Sequence, residues 1–180
     1  MAIMKRVLYV EEDPLSIPFF NNYADFGIDK TRLYMKKIEV ILERLRERYE
    51  AHLRYDMFSR DVENALRFNH FDRLIIELPN QNRILDENGE RILKFHPPSK
   101  LQVREMYDRL LGRIKMLGEQ NPKMKIIPYL EKPYGGGEAS LEKALKSLEL
   151  KATWKNNDSW RNKDEFEEEM NRLIHAIEDQ

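Results

Sequence analysis

Two short runs limit what this chain can fold into. Val7-Leu8-Tyr9-Val10 and Leu74-Ile75-Ile76 are apolar at consecutive positions, with charged residues directly on either side. Side chains on a strand alternate between two faces, so a strand of this kind must be covered on both. Helices give such cover in parallel sheets, and the sequence around the runs has helical spacing. Over 30–49, Leu33, Ile38, Ile41, Leu42 and Leu45 share one face, while Lys36, Lys37, Glu43, Arg44 and Glu47 fall mostly on the other. A short helix is expected at about 60–69, with Ser59 or Asp61 as its cap and Val62, Ala65 and Leu66 facing inwards. Pro97-Pro98-Ser99 opens another helix that runs to about Leu117 and is stopped by Gly118 and Pro122. Residues 140–150 and 163–178 complete the helices. The last one carries Phe166, Met170, Leu173, Ile174 and Ile177 on its apolar face. Its run Glu165-Phe166-Glu167-Glu168-Glu169 reads as a solvated face near a helix start, where acids suit the macrodipole.

Further strands are expected at 51–56, 124–130 (weakened at Pro128) and 151–155. Arg83-Ile84-Leu85 and Arg91-Ile92-Leu93 flank Asn88-Gly89, a strong turn signal, and so read as a β-hairpin over 83–95. Strands that alternate with helices imply one doubly wound α/β domain over residues 1–180: a five-stranded parallel sheet in order 2-1-3-4-5, with the hairpin inserted. The structure of 15–29 is not legible from its pattern, although Leu15, Ile17, Phe19, Phe20, Tyr23 and Phe26 make it strongly apolar.

Composition removes several function classes. Lys and Arg number 31 against 32 Asp and Glu, a formal net charge of −1, so nothing draws the whole chain to nucleic acid or an anionic membrane. Cysteine is absent, which excludes disulfides, thiolate metal sites and a cysteine nucleophile. No apolar run approaches the roughly 18 residues of a membrane span, and the first residues lack a signal-peptide pattern. A cytoplasmic protein is the expectation. The four histidines show no ligand spacing, and Gly135-Gly136-Gly137 lacks the Lys-Ser/Thr of a phosphate loop. Trp154 and Trp160, flanked by Lys151, Lys155 and Arg161, could stack on a base or a partner, and packing of the last helix on the sheet is the simpler expectation.

In open parallel sheets the functional site lies beyond the carboxyl ends of the strands, where the strand order reverses. That rule selects Glu11, Glu12 and Asp13 after the first strand and Glu77 after the third. Carboxylates gathered at one sheet end repel one another unless a cation neutralises them, and hard oxygen ligands suit magnesium or calcium, the expected ion, held by Glu11, Glu12 and Glu77.

These residues carry a resemblance. The stretch from Arg6 to Pro14 resembles the opening strand of response regulator receiver domains, which ends in an acidic pair followed by Asp/Glu-Pro. The stretch from Phe71 to Pro79 resembles their third strand. The resemblance implies a flavodoxin-like fold, a metal-binding pair at Glu11 and Glu12, Glu77 at the phosphoacceptor position, and Lys155 as the lysine that pairs with the phosphoryl group. A second register would place the family's Lys-Pro at Lys132-Pro133. The chain departs from the family in several places. It is longer, with additions at about 15–30 and 80–98. The acceptor is Glu rather than Asp, with one more methylene. Glu131 falls near the family's Ser/Thr, Ala152 near its aromatic position, and Asn156 follows Lys155 where the family has Pro. The resemblance therefore implies a pseudo-receiver of two-component signalling, not phosphorylated in the usual way, that acts through a protein partner or as a homodimer. Residues 15–29 and the hairpin are the expected contact surfaces. The rival expectation is an enzyme, a magnesium-dependent phosphotransferase or phosphoester hydrolase using the same acids. The Asp-x-Asp patterns of such enzymes are missing.

Overall fold

The computed structural model describes residues 4–11, 24–77, 83–85, 91–93, 100–131, 138–155 and 162–179. Strand β1 (Arg6–Glu11) leads to helix α1 (Ala24–Arg46), and β2 (Glu50–Tyr55) to α2 (Arg60–Phe68). Strand β3 (Arg73–Ile76) precedes a hairpin of β4 (Arg83–Leu85) and β5 (Arg91–Leu93). Helix α3 (Lys100–Gln120), β6 (Lys125–Glu131), α4 (Glu138–Lys146), β7 (Thr153–Lys155) and α5 (Lys163–Glu178) follow.

The sheet has five strands in order β2-β1-β3-β6-β7, and every neighbouring pair is parallel. Counting sheet strands alone, this is 2-1-3-4-5, the flavodoxin-like arrangement. Strand β7 is thus the fifth strand and β6 the fourth. The register that made Lys132-Pro133 the end of the fifth strand does not hold.

Alternation along the strands builds two cores. Leu8, Val10, Leu74, Ile76, Ile126 and Leu130 face α2, α3 and α4, whose Val62, Leu66, Leu110, Ile114, Leu117 and Leu145 are buried against them. Val7, Tyr9, Ile75, Ile127 and Tyr129 face α1 and α5, which contribute Ile38, Ile41, Leu45, Met170, Leu173 and Ile177. Pro128 lies where β6 passes from its last pair with β3 to its first pair with β7, so its missing N–H interrupts neither ladder in the middle.

The hairpin is antiparallel and joins no other strand among the described residues. Its turn lies outside them, as do 12–23, Lys132, Gly135-Gly136-Gly137, Asn156 and Trp160.

Three sequence expectations are corrected. Helix α1 starts at Ala24 rather than near 30, because no proline follows Pro18 to prevent helix there. Gly118 does not stop α3, which runs on to Gln120. A Cβ at Gly118 would lie 3.5 Å from Ile126 Cδ1, so this glycine sits where α3 lies close to β6. Lys37, expected on the polar face of α1, is buried.

The junction from β2 to α2 is closely tied. Asp56 adopts φ 61° at the end of β2, a left-handed conformation that Asp tolerates better than most residues. Its carboxylate accepts from Phe58 N at 3.0 Å, and Ser59 Oγ caps α2 by accepting from Val62 N at 3.2 Å. Arg113 of α3 donates to Met57 O at 3.0 Å and to Glu63 at 2.8 Å, which ties the junction to the helix layer.

Gly112, by contrast, is exposed in the middle of α3, and a Cβ there would meet nothing within 4 Å. Glycine in an exposed helix interior costs about 1 kcal/mol relative to alanine. Gly112→Ala should therefore raise the unfolding free energy by about 0.5–1 kcal/mol with an unchanged m-value, read by urea denaturation.

Candidate functional site

Glu11 ends β1 two residues beyond Tyr9, and Glu77 follows β3 two residues beyond Ile75. Both therefore project to the side of the sheet covered by α1 and α5. Lys155 ends β7 one residue past Trp154, which packs in the opposite core, and so it shares that side. Backbone bonds fix the two acids in place: Glu77 N donates to Val10 O at 3.0 Å, and Glu11 O accepts from Asp56 N at 2.8 Å.

The three side chains meet. Lys155 Nζ lies 3.0 and 3.2 Å from the two carboxylate oxygens of Glu11 and 2.8 Å from Glu77 Oε1. Relative exposure is 1% for Glu11, 5% for Glu77 and 4% for Lys155, so water does not screen the attraction. The ammonium also lies 4.9 Å from the ring centroid of Tyr129, a cation–π contact inside the protein. The sheet's order puts β1 and β3 side by side and β7 two strands from β3, so the long side chain of lysine is what reaches from β7 to both acids.

A second layer surrounds the trio. Tyr9 OH donates to Glu11 Oε2, and Tyr129 OH donates to Glu169 Oε1. The two rings lie 6.4 Å apart at 56°. Glu169, in the second turn of α5, is fully buried. The charged 165–169 run predicts a solvated Glu169, and the structure buries it. Its spacing from Phe166 and Leu173 puts it on the apolar face of the helix, and that spacing was the signal available in the sequence. Nothing in the local patterns of Tyr9 and Tyr129 marks them out from ordinary core aromatics.

Burial raises the Tyr9 hydroxyl pKa well above its ordinary value, and the Glu11 charge raises it further. For Tyr129, burial raises the pKa first and the Glu169 charge adds to that, while Lys155 pulls the other way.

Glu12 and Asp13 lie outside the described residues. Among the described residues no group of three or more acids or histidines is placed to hold a metal ion. The cation that touches both Glu11 and Glu77 is the ammonium of Lys155. The described histidines are near acids elsewhere: His52 by Glu50 at 3.0 Å, His70 by Asp72 at 3.7 Å and His175 by Asp179 at 3.5 Å. No helix among the described residues is long and apolar enough to cross a membrane. Comparison of the chain with protein-family models, curated proteins and solved structures gives no match.

Two outcomes follow from this geometry. Lys155→Met leaves two buried carboxylates without their shared counter-charge and should cost about 3–5 kcal/mol in denaturant unfolding. Glu77→Gln should cost less, because Lys155 keeps Glu11. The tyrosines set a limit at high pH. Unfolded tyrosine ionises near pH 10, whereas Tyr9 and Tyr129 hold their protons well above that. Their contribution is complete below the unfolded value and is lost as pH rises through the native values, because the unfolded chain then binds fewer protons. Stability should fall above about pH 10, and the tyrosinate absorbance of these two residues should appear only together with loss of the far-ultraviolet circular dichroism. Ionisation of both in a still-folded protein would contradict the assignment.

Proposed function

We propose that this chain is a receiver-like signalling module that works through protein contacts, with a buried ion pair where a phosphorylatable site would be. The observation that carries this reading is the single lysine that bridges Glu11 and Glu77. The resemblance to receiver domains selects these three residues from strand ends far apart in sequence, and they meet at the carboxyl edge of a 2-1-3-4-5 sheet. In this reading Glu77 supplies a permanent negative charge at the acceptor position. Lys155, rather than a divalent ion, balances it together with Glu11. A nucleophilic carboxylate must reach the phosphorus of a donor. Here both carboxylates are out of contact with water and already bonded to an ammonium. Transfer also needs preorganised positive charge free to meet the phosphoryl oxygens, and Lys155 is engaged.

The contact surface in this reading includes the hairpin. Among the described residues β4 and β5 pair only with each other, so the small ladder keeps outer edges that can take another strand. Strand β4 packs beside α3, which attaches the hairpin to the domain.

Incubation with acetyl phosphate and magnesium, followed by intact-mass and peptide analysis, tests the site. No phosphoryl adduct is expected on Glu77. An adduct mapped there, or hydrolysis of a phosphoester that depends on Glu77, would favour the enzyme. Removal of residues 83–95 tests the surface. Solution mass or partner capture should change while the circular dichroism of the five-stranded domain is kept, and an unchanged assembly would remove the hairpin from the proposal.

A further inference from the structure

The polar network does not end at the bridging lysine. It continues through Tyr129 into α5, and the sheet site is thereby linked to one particular helix. Lys155 Nζ stands 4.9 Å from the centroid of the Tyr129 ring. The hydroxyl of that ring donates to Glu169, a fully buried acid in the second turn of α5. A cation beside an aromatic ring draws electron density and makes the hydroxyl a stronger donor, and hydrogen-bonded groups in a low-dielectric interior polarise one another. The position of Lys155 is set by Glu11 and Glu77. The far half of α5 is held separately. Arg73 Nε donates to Ile177 O at 2.7 Å, Tyr49 OH donates to Glu178 at 2.6 Å, and Lys5 pairs with Glu178 at 2.5 Å. Near the amino end Arg44 of α1 reaches Glu167 at 2.5 Å, but that pair is partly exposed. Tyr129–Glu169 is therefore a fully buried polar tie in the first half of the helix.

We propose that Tyr129 is a positioning residue that couples the Glu11–Lys155–Glu77 centre to the amino-terminal half of α5, so that a change of charge at the centre alters the local stability of residues 166–172. The inference rests on the contacts alone. It stands whether or not Glu77 takes a phosphoryl group, so the acetyl phosphate result and this one can fail independently. Coupling of this kind shows itself as non-additivity between two changes.

The experiment is amide hydrogen exchange on the full chain, as wild type, Glu77→Gln, Tyr129→Phe and the double variant. Glu77→Gln keeps the shape of the side chain and removes its charge. Tyr129→Phe keeps the ring and removes the donor. Each single change should speed exchange at residues 166–172 by roughly three- to tenfold. The double variant should exchange no faster than the quicker of the two singles. Residues 173–178, held by Arg73, Tyr49 and Lys5, should keep their rates. Unchanged rates at 166–172 in Glu77→Gln would overturn the proposal. So would two effects that simply multiply, or an equal rise along all of α5, which marks global destabilisation. If Glu77→Gln does not fold, Tyr129→Phe alone decides. Exchange must then rise both at 153–155 of β7 and at 166–172, and a rise at only one of them overturns the coupling.

Discussion

A buried ammonium between two buried carboxylates organises the carboxyl edge of this sheet. Lys155 arrives from the edge strand β7, Glu77 from the end of the central strand β3 and Glu11 from β1 beside it. Each charge alone would be costly to remove from water, and an isolated one would neutralise rather than stay buried. Together they are tolerable only if the three strand ends hold the right spacing. Buried ion pairs add little net stability compared with apolar packing of the same shape. What they penalise is misplacement: a β7 that slipped by one residue would turn Lys155 to the other face of the sheet and strand both acids. In this fold the trio acts as a check on strand register, on a strand only three residues long that has few backbone bonds of its own.

The same reasoning explains what could be read from the sequence. The consecutive apolar runs of β1 and β3 identified both strands, since only double cover permits them. The final helix was legible from its regular apolar spacing, and in the structure Asn162 caps its start by accepting from Asp164 N and Glu165 N. Gly118 misled because glycine has two uses, ending a helix or letting it lie close to a neighbour, and a local pattern cannot separate them. The start of α1 was hidden because 15–29 is apolar without a clear period.

The candidate site was legible in its end groups and opaque in its surroundings. Glu11 and Glu77 stand at strand termini, where polar residues that follow apolar runs draw notice, and Lys155 was selected by the family resemblance alone. Glu169 and Lys37 lie on amphipathic helices in charged stretches, so each looked like one more solvated residue. Tyr9 and Tyr129 sit inside apolar runs and gave no polar signal. In each case the hidden part was a partner on another element. Such partners are set by the way helices dock on the sheet, and that is not a local property.

The carboxyl end of α5 lies against the amino ends of the strands. Lys5 and Lys125 reach Glu178 and Asp179 O, and Arg73 binds Ile177 O, so three cations from neighbouring strands meet the negative end of the helix. The first strand and the last helix are thereby brought together at one pole of the domain, with the Glu11–Lys155–Glu77 centre at the other. The contacts at this pole are partly exposed and those of the centre are buried, so dissolved salt screens the first and leaves the second untouched.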